Sequence, residues 1–198
     1  GLGTVGGGTV TVLTRNGDEI ARRAGREILI SHAAAKAFRR ETIEGIDRIP
    51  RISDDAWQVV ADPEVAIVIE LIGGYSPARE LVLQAIANGK HVVTANKALI
   101  AKHGNEIFAA AQRKGVMVAF EAAVAGGVPI IKALREGLAA NRIEWIAGII
   151  NGTSNYILTQ MREHGRSFDD ALAEAQALGY AEADPTFDIE GVDAAHKL

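Results

Sequence analysis

The segment "GYAEADPTFDIEGVDAAHK" (179–197) gathers side chains that can recognise charge or move a proton: Glu182, Asp184, Asp188, Asp193 and Lys197. Asp193 and Lys197 are four apart, so on a helix they share a face. As exposed decoration such a pair contributes only about 0.3–0.5 kcal/mol. Facing a small molecule with an ammonium and a carboxylate, the same groups could bind both ends and handle a proton. A second chemistry is written at the other end of the chain. In "GLGTVG", Gly1 permits a tight turn, Gly3 leaves room for a pyrophosphate at the backbone, and Gly6 lets a helix pack close to a sheet. Thr4 and Val5 belong to the same turn, where a helix N-terminus would offer free N–H groups to phosphates. Three glycines in a glycine-rich start need no ligand, so this motif depends on its context.

The elements that must position these groups follow from hydrophobic period and turn residues. Thr9–Arg23 reads as a helix and "REILISHAAA" as a strand, with Lys36–Pro50 left as loop and short elements. "VAIVIELIGG" has the length and apolar continuity of a buried parallel strand. "SPARELVLQAIANGK" reads as a helix with Ser76 at the N-cap, Pro77 at the first helical position and Gly89 past the end. Strand "HVVTANK", helix "NEIFAAAQRKG" and strand "VMVAFEAAV" continue the alternation. This is the pattern of a doubly wound, Rossmann-type parallel sheet, and it raises the glycine turn to a dinucleotide site. From Pro129 the rhythm changes. "VPIIKALREGLAAN" reads as helix, "RIEWIAGIIN" as strand, and "TSNYILTQMREHG" and "SFDDALAEAQALG" as helices. The expected division is therefore a dinucleotide-binding domain over 1–128, lacking its first strand, and an α+β substrate and dimerisation domain over 129–198, lacking its C-terminal part.

Composition narrows the classes. The 198 residues are 48% hydrophobic, enough for a real core, and the net charge of −4 is spread over both signs. No nucleic-acid or membrane-surface partner is expected from that balance. The absence of cysteine removes disulfides, thiolate metal sites and thioester catalysis. Apolar runs break before about 18 residues, so no membrane span is expected, and a cytoplasmic location is the default. No acid follows the second strand before Glu41, whereas Lys36, Arg39 and Arg40 do. An acid there would hold the ribose hydroxyl of NAD; the basic residues could accept the 2′-phosphate of NADP, or form a solvated loop. Lys97 ends a predicted strand at the sheet's carboxyl edge, where ligands bind. Glu121 sits in an apolar run, a costly place for an unpartnered carboxylate. Trp57 and Trp145 are expected in cores, and the five histidines show no metal-ligand spacing.

"GLGTVGGGT", "VIELIGG", "HVVTANKALIA", "FEAAVAGGVPII", "INGTSNYIL" and "GYAEADPTFDIEGVDAAHK", in this order, resemble homoserine dehydrogenase over nearly the whole chain. The resemblance implies hydride transfer between L-homoserine and L-aspartate 4-semialdehyde with NADP or NAD, in threonine and methionine synthesis. It implies catalytic roles for Lys197, Asp193 and Lys97, the last near the reacting oxygen. Glu182, Asp188, Tyr180, Gly152 and Thr153 fall on substrate-pocket positions. Gly1, Gly3, Thr4, Val5, Gly6, Lys36, Thr94, Asn96 and Lys97 fall on the cofactor side. A monovalent cation, sodium, is implied at Glu121, Val124, Gly126 and Val128, where a hard ion would take oxygen ligands. A homo-oligomer, dimer or tetramer, is also implied. A different two-domain dehydrogenase has no reason to carry "NGTSNYIL" and "GYAEADP". A regulatory dinucleotide-binding module has no need of Lys97, Asp193 and Lys197.

Overall fold

The computed structural model describes all 198 residues, which divide into two compact units, Gly1–Ala123 and Val124–Leu198. In the first unit, α1 (Thr4–Arg15) and α2 (Gly17–Ala24) precede β1 (His32–Ala34) and β2 (Arg51–Ser53). There follow α3 (Ala56–Ala61), β3 (Ile67–Glu70), α4 (Ala78–Ala87), β4 (His91–Thr94), α5 (Lys97–Lys114) and β5 (Val118–Ala119). Every strand pairing is parallel: β1 with β2, and β3–β4–β5 in that order. Parallel neighbours need crossovers, which the helices supply. This is the α/β architecture that the alternation predicted. Gly1 lies against the Leu71 carbonyl just past β3, while Leu2 packs with Val10, Ile43, Ile46 and Ile49, beside Ala33 of β1 and Ile52 of β2. The first two residues thus lie against the turn after β3 and the core beside the β1–β2 pair.

The main core forms because α4 and α5 each bury one face. On α4, Ala78, Leu81, Val82, Ala85 and Ile86 recur at helical spacing and are all buried. On α5, Leu99, Ile107 and Ala111 meet Val92 of β4 and Val118 of β5. Fully buried side chains such as Ile86, Leu99 and Ile107 stabilise by roughly 1.5–3 kcal/mol each. Asn96 caps α5 by accepting the Leu99 N–H at 3.1 Å, and Gly115, at φ 72°, ends it.

Several local readings shift. The first helix starts at Thr4 and breaks at Asn16, where Asn-Gly favours a turn. The second strand shrinks to three residues, and β2 and α3 were not anticipated. Ser76 caps nothing: the Arg79 N–H goes to the Tyr75 carbonyl, and Pro77 takes the cap position with α4 starting at Ala78. α5 begins at Lys97 rather than Asn105, so Lys97 opens a helix instead of ending a strand. β3 is buried on one face only: Val68 and Glu70 point inward, whereas Ile67 and Ile69 are 49% and 37% exposed. β5 stops at Ala119, and Glu121–Ala123 form a 3₁₀ turn. Trp57 and Trp145, expected in cores, are 45% and 78% exposed.

In the second unit, α6 (Ile130–Lys132) runs into a π-helical turn over Ala133–Gly137. The strand expected over 142–151 does not form. A strand needs a neighbour to pair its backbone, and no strand in this unit supplies one. α7 (Gly152–His164) and α8 (Phe168–Ala177) pack through Ile157, Ala171 and Ala175, with Ala181 closing the cluster. Short helices α9 (Thr186–Ile189) and α10 (Val192–Ala195) complete the unit. No helix of either unit is long and apolar enough to cross a membrane.

Candidate active site and cofactor turn

The glycine turn of the first unit has the features its spacing implies. A Cβ at Gly6 would sit 1.8 Å from the Gly1 carbonyl oxygen, so only glycine fits there. A Cβ at Gly3 would meet no protein atom within 4 Å, so this flank of the turn is open. The first bond of α1 runs from the Gly7 N–H to the Gly3 carbonyl at 2.7 Å, and Gly3 has no side chain to cap the helix. The N–H groups of Thr4, Val5 and Gly6 precede that bond and are left for a ligand. No acid occupies the first turn of α1. An open cradle, unused donors and a helix N-terminus free of negative charge fit a pyrophosphate.

The carboxyl edge of the other sheet is braced by a residue that sequence reasoning passed over. Glu70, 3% exposed, accepts the N–H groups of Ile72 and Gly73 on one oxygen and the Thr94 hydroxyl on the other, the last at 2.7 Å. The Thr94 oxygen in turn accepts the Asn96 N–H, and the Asn96 amide donates to the Gly74 carbonyl. Thr94 and Asn96, both expected beside the cofactor, are buried, and their side chains are engaged in this framework. It ties the glycine-rich loop after β3 to the turn that presents Lys97, which is half-buried. At the other sheet, Lys36 is exposed just past β1. Arg40 is bound to Asp47 at 2.5 Å, whereas Lys36 and Arg39, nearest the end of β1, form no ion pair.

The second unit assembles a compact polar cluster. The Lys197 ammonium donates to Asp193 Oδ2 at 2.6 Å and to the Ile150 carbonyl at 2.6 Å. The pair is largely covered, with side-chain exposures of 21% and 15%, unlike ordinary surface decoration. The i, i+4 spacing holds, although α10 closes at Ala195 and Lys197 follows in a turn bonded to the Ala194 carbonyl. Asn151 donates to Asp188 Oδ1 at 2.7 Å and to Asp193 Oδ2 at 2.9 Å. Its own Oδ1 caps α7 by accepting the Ser154 N–H at 2.7 Å. The Ser154 hydroxyl donates to the Asp188 carbonyl.

Thr153, at the start of α7, donates its hydroxyl to the Tyr180 carbonyl at 2.7 Å, and the Tyr180 ring meets Tyr156 edge-on. Gly152 is exposed beside it. The structure thus brings Asp188, Asp193 and Lys197 together and binds the Gly152–Thr153 turn to Tyr180. Glu182 is not drawn in: its side chain is exposed and makes no hydrogen bond, and only its carbonyl is held, by Gln176. Asp184 accepts the Thr186 hydroxyl and N–H, which hold its carboxyl below the usual carboxylate range; it builds the turn into α9. Asn151 was missed, although an Asn before a Gly-Thr-Ser start is a legible helix cap.

Parallel sheets, an open glycine turn at a helix N-terminus and basic residues past β1 define a Rossmann-type dinucleotide-binding protein. The family model "homoserine dehydrogenase, NAD binding domain" matches residues 1–121, and "homoserine dehydrogenase" matches 129–198. The chain belongs to the homoserine dehydrogenase family. It is 68% identical over 198 residues to homoserine dehydrogenase of Pseudomonas aeruginosa and 42% identical over 200 residues to that of Bacillus subtilis. All of this chain is covered in both matches, against 45% and 46% of the relatives, so the chain spans about half their length. Among solved structures, homoserine dehydrogenase of Thiobacillus denitrificans superposes with a TM-score of 0.88 at 70% identity, covering 100% of this chain and 45% of that one. A hyperthermophilic archaeal homoserine dehydrogenase in complex with NADPH superposes at 0.79 with 30% identity, covering 100% and 65%.

Proposed function

We propose that this chain supplies the cofactor-binding and catalytic parts of an NAD(P)-dependent homoserine dehydrogenase, which interconverts L-homoserine and L-aspartate 4-semialdehyde in threonine and methionine biosynthesis. The observation that carries the reading is the covered Asp193–Lys197 pair, held by Ile150 and Asn151 within a chain of this family. When bound, the nicotinamide supplies the hydride donor or acceptor. Thr4, Val5 and Gly6 offer their N–H groups to its pyrophosphate, with Gly1 and Gly3 giving backbone access. The archaeal relative's NADPH complex and the unpaired Lys36 and Arg39 favour NADP over NAD.

Two of the three Lys197 ammonium protons are directed at Asp193 and Ile150. The third is available to the substrate oxygen. In the reducing direction it passes to the oxygen as negative charge develops there; in the oxidising direction the amine takes the hydroxyl proton. Asp193 orients this group. Lys97 is assigned to the reacting oxygen or the substrate carboxylate, Asp188 to the substrate ammonium, and Tyr180, Gly152 and Thr153 to the pocket wall. Glu182 is also assigned to the ammonium, and its exposed side chain would have to turn to reach it. Glu121, Val124, Gly126 and Val128 are assigned to a monovalent cation. Their support is chemical, oxygen donors for a hard ion, together with a loop turned by Ala125 at φ 47° and Gly127 at φ 87°. A homo-oligomer and a cytoplasmic location belong to the same reading.

The test is homoserine-dependent reduction of NADP+ by the full-length protein. Wild type should turn over, and Lys197→Ala should lose roughly 10²–10⁴-fold in kcat with cofactor affinity unchanged. Adding Asp193→Ala should cost little more, because groups acting as one unit are not additive. Wild-type kcat in both single variants would reduce the pair to a structural clamp.

A further inference from the structure

We infer that Asn151 is a positioning residue for the reaction, and that its carboxamide decides which carboxylate serves Lys197 and which remains open to the substrate ammonium. The inference rests on the homoserine dehydrogenase reading and goes beyond the residues that reading assigns. Two ionised carboxylates held close together repel each other, and each needs hydrogen bonds or an opposite charge. Here one neutral amide lies between them. One Nδ2 proton goes to Asp188 Oδ1 at 2.7 Å and the other to Asp193 Oδ2 at 2.9 Å. An amide nitrogen has two protons, so its donor capacity is spent on this bridge.

The consequences for the two acids differ. Asp193 Oδ2 also takes the Lys197 ammonium at 2.6 Å, so Asn151 and Lys197 converge on one oxygen. Lys197 is gripped from its other side by the Ile150 carbonyl, the residue before Asn151. Consecutive residues therefore hold both members of the pair, Ile150 through its backbone and Asn151 through its side chain. Asp188 is held by Oδ1, and by Ser154 at its own backbone carbonyl, while Oδ2 carries no hydrogen bond. That oxygen is the one a substrate ammonium can take. The third amide atom, Oδ1 of Asn151, caps α7 through the Ser154 N–H, which fixes the carboxamide plane.

The cap and the bridge can be separated by mutation. Asn151→Asp keeps the cap, since Asp caps a helix as well as Asn does, but replaces both donors by an acceptor with negative charge. Asn151→Ser keeps a capping oxygen and is too short to bridge both acids. In the full-length protein, both variants should retain NADPH affinity. Both should lose roughly 10–100-fold in kcat/KM for homoserine, the range seen when partners that orient metal-ligating side chains are removed. In Asn151→Asp the acid limb of the pH–rate profile should also move to higher pH, because added negative charge favours the protonated forms of its neighbours. A role confined to capping would leave that profile and the homoserine KM where they are. Asn151→Asp with wild-type kcat/KM and an unmoved profile overturns the inference while the functional reading stands. If Asn151→Asp does not fold, Asn151→Ser decides: wild-type kcat/KM there overturns it equally. Wild-type protein inactive on homoserine removes the functional reading itself, and the inference with it.

Discussion

Gly3→Ala separates a ligand's needs from the fold's. Gly3 has φ −73° and ψ −163°, extended backbone that alanine adopts without strain. Its Cβ would meet no protein atom within 4 Å. Alanine is a poorer N-cap than glycine, at a cost below about 1 kcal/mol, so the melting temperature should fall by a few degrees at most. The new methyl would project into the open flank of the turn, in front of the unused N–H groups of Thr4, Val5 and Gly6. If a pyrophosphate sits there, at least one hydrogen bond to a charged oxygen is lost, worth about 1.5–3 kcal/mol. That converts to roughly a 10–150-fold weaker Kd for NADPH. Fluorescence titration with NADPH, alongside thermal melting, reads both numbers in the full-length protein. Gly6→Ala is the contrasting variant. Its Cβ would lie 1.8 Å from the Gly1 carbonyl oxygen, so the backbone must move, and stability and affinity should fall together. Gly3→Ala with wild-type affinity would refute the placement of the pyrophosphate on this helix end.

Two further outcomes are expected. Lys36→Ala should weaken NADP+ more than NAD+ in a paired titration, because Arg40 is already engaged by Asp47 while Lys36 and Arg39 are unpaired; equal losses for both cofactors would make the loop mere surface. Asp62 is held below the usual carboxylate range, first by the Glu64 N–H and then by His32 and Arg51 beside it, so its contribution to stability is present above the ordinary Asp pKa and is lost as pH falls through the lower folded value. Asp62→Asn should therefore be less stable at neutral pH and show a flatter acid limb in melting experiments down to about pH 3, whereas an unchanged limb would assign the acid sensitivity to other groups.

What could be read from the sequence was what repeats. α4 announces itself through Ala78, Leu81, Val82, Ala85 and Ile86, since burial of one helix face imposes a period that survives in the letters. The parallel strands followed from apolar runs placed between such helices. Boundaries were less legible, because one local backbone bond can displace another cap: the Tyr75 carbonyl takes the Arg79 N–H, and Ser76 loses its place as cap. The segment 142–151 shows the same limit from the other side. Its apolar pattern suits a strand, but pattern gives only propensity. Pairing needs a partner, and without one Trp145 and Ile149 stand 78% and 79% exposed.

Polar burial was the least legible feature, for a definite reason. Glu121 drew attention as a carboxylate in an apolar run, yet the acid at 3% exposure is Glu70, in a run just as apolar. The argument applied to one residue applied equally to the other. What sequence alone lacks is the partner list: Thr94 lies 24 residues away, and the two N–H groups come from the loop that the glycines turn. Asn151 is the same case across 37 and 42 residues, to Asp188 and Asp193. In both places side-chain hydrogen bonds tie a helix-capping turn to acids from a distant segment, Glu70 in one and Asp188 with Asp193 in the other. The acids and lysines of a charged site advertise themselves by type. The neutral amide and the bracing carboxylate that hold them do not, because elsewhere in a chain the same residues are ordinary caps and surface groups. Their role depends on where the fold brings them, and a site inferred from sequence therefore tends to contain the groups that react and to omit those that aim them.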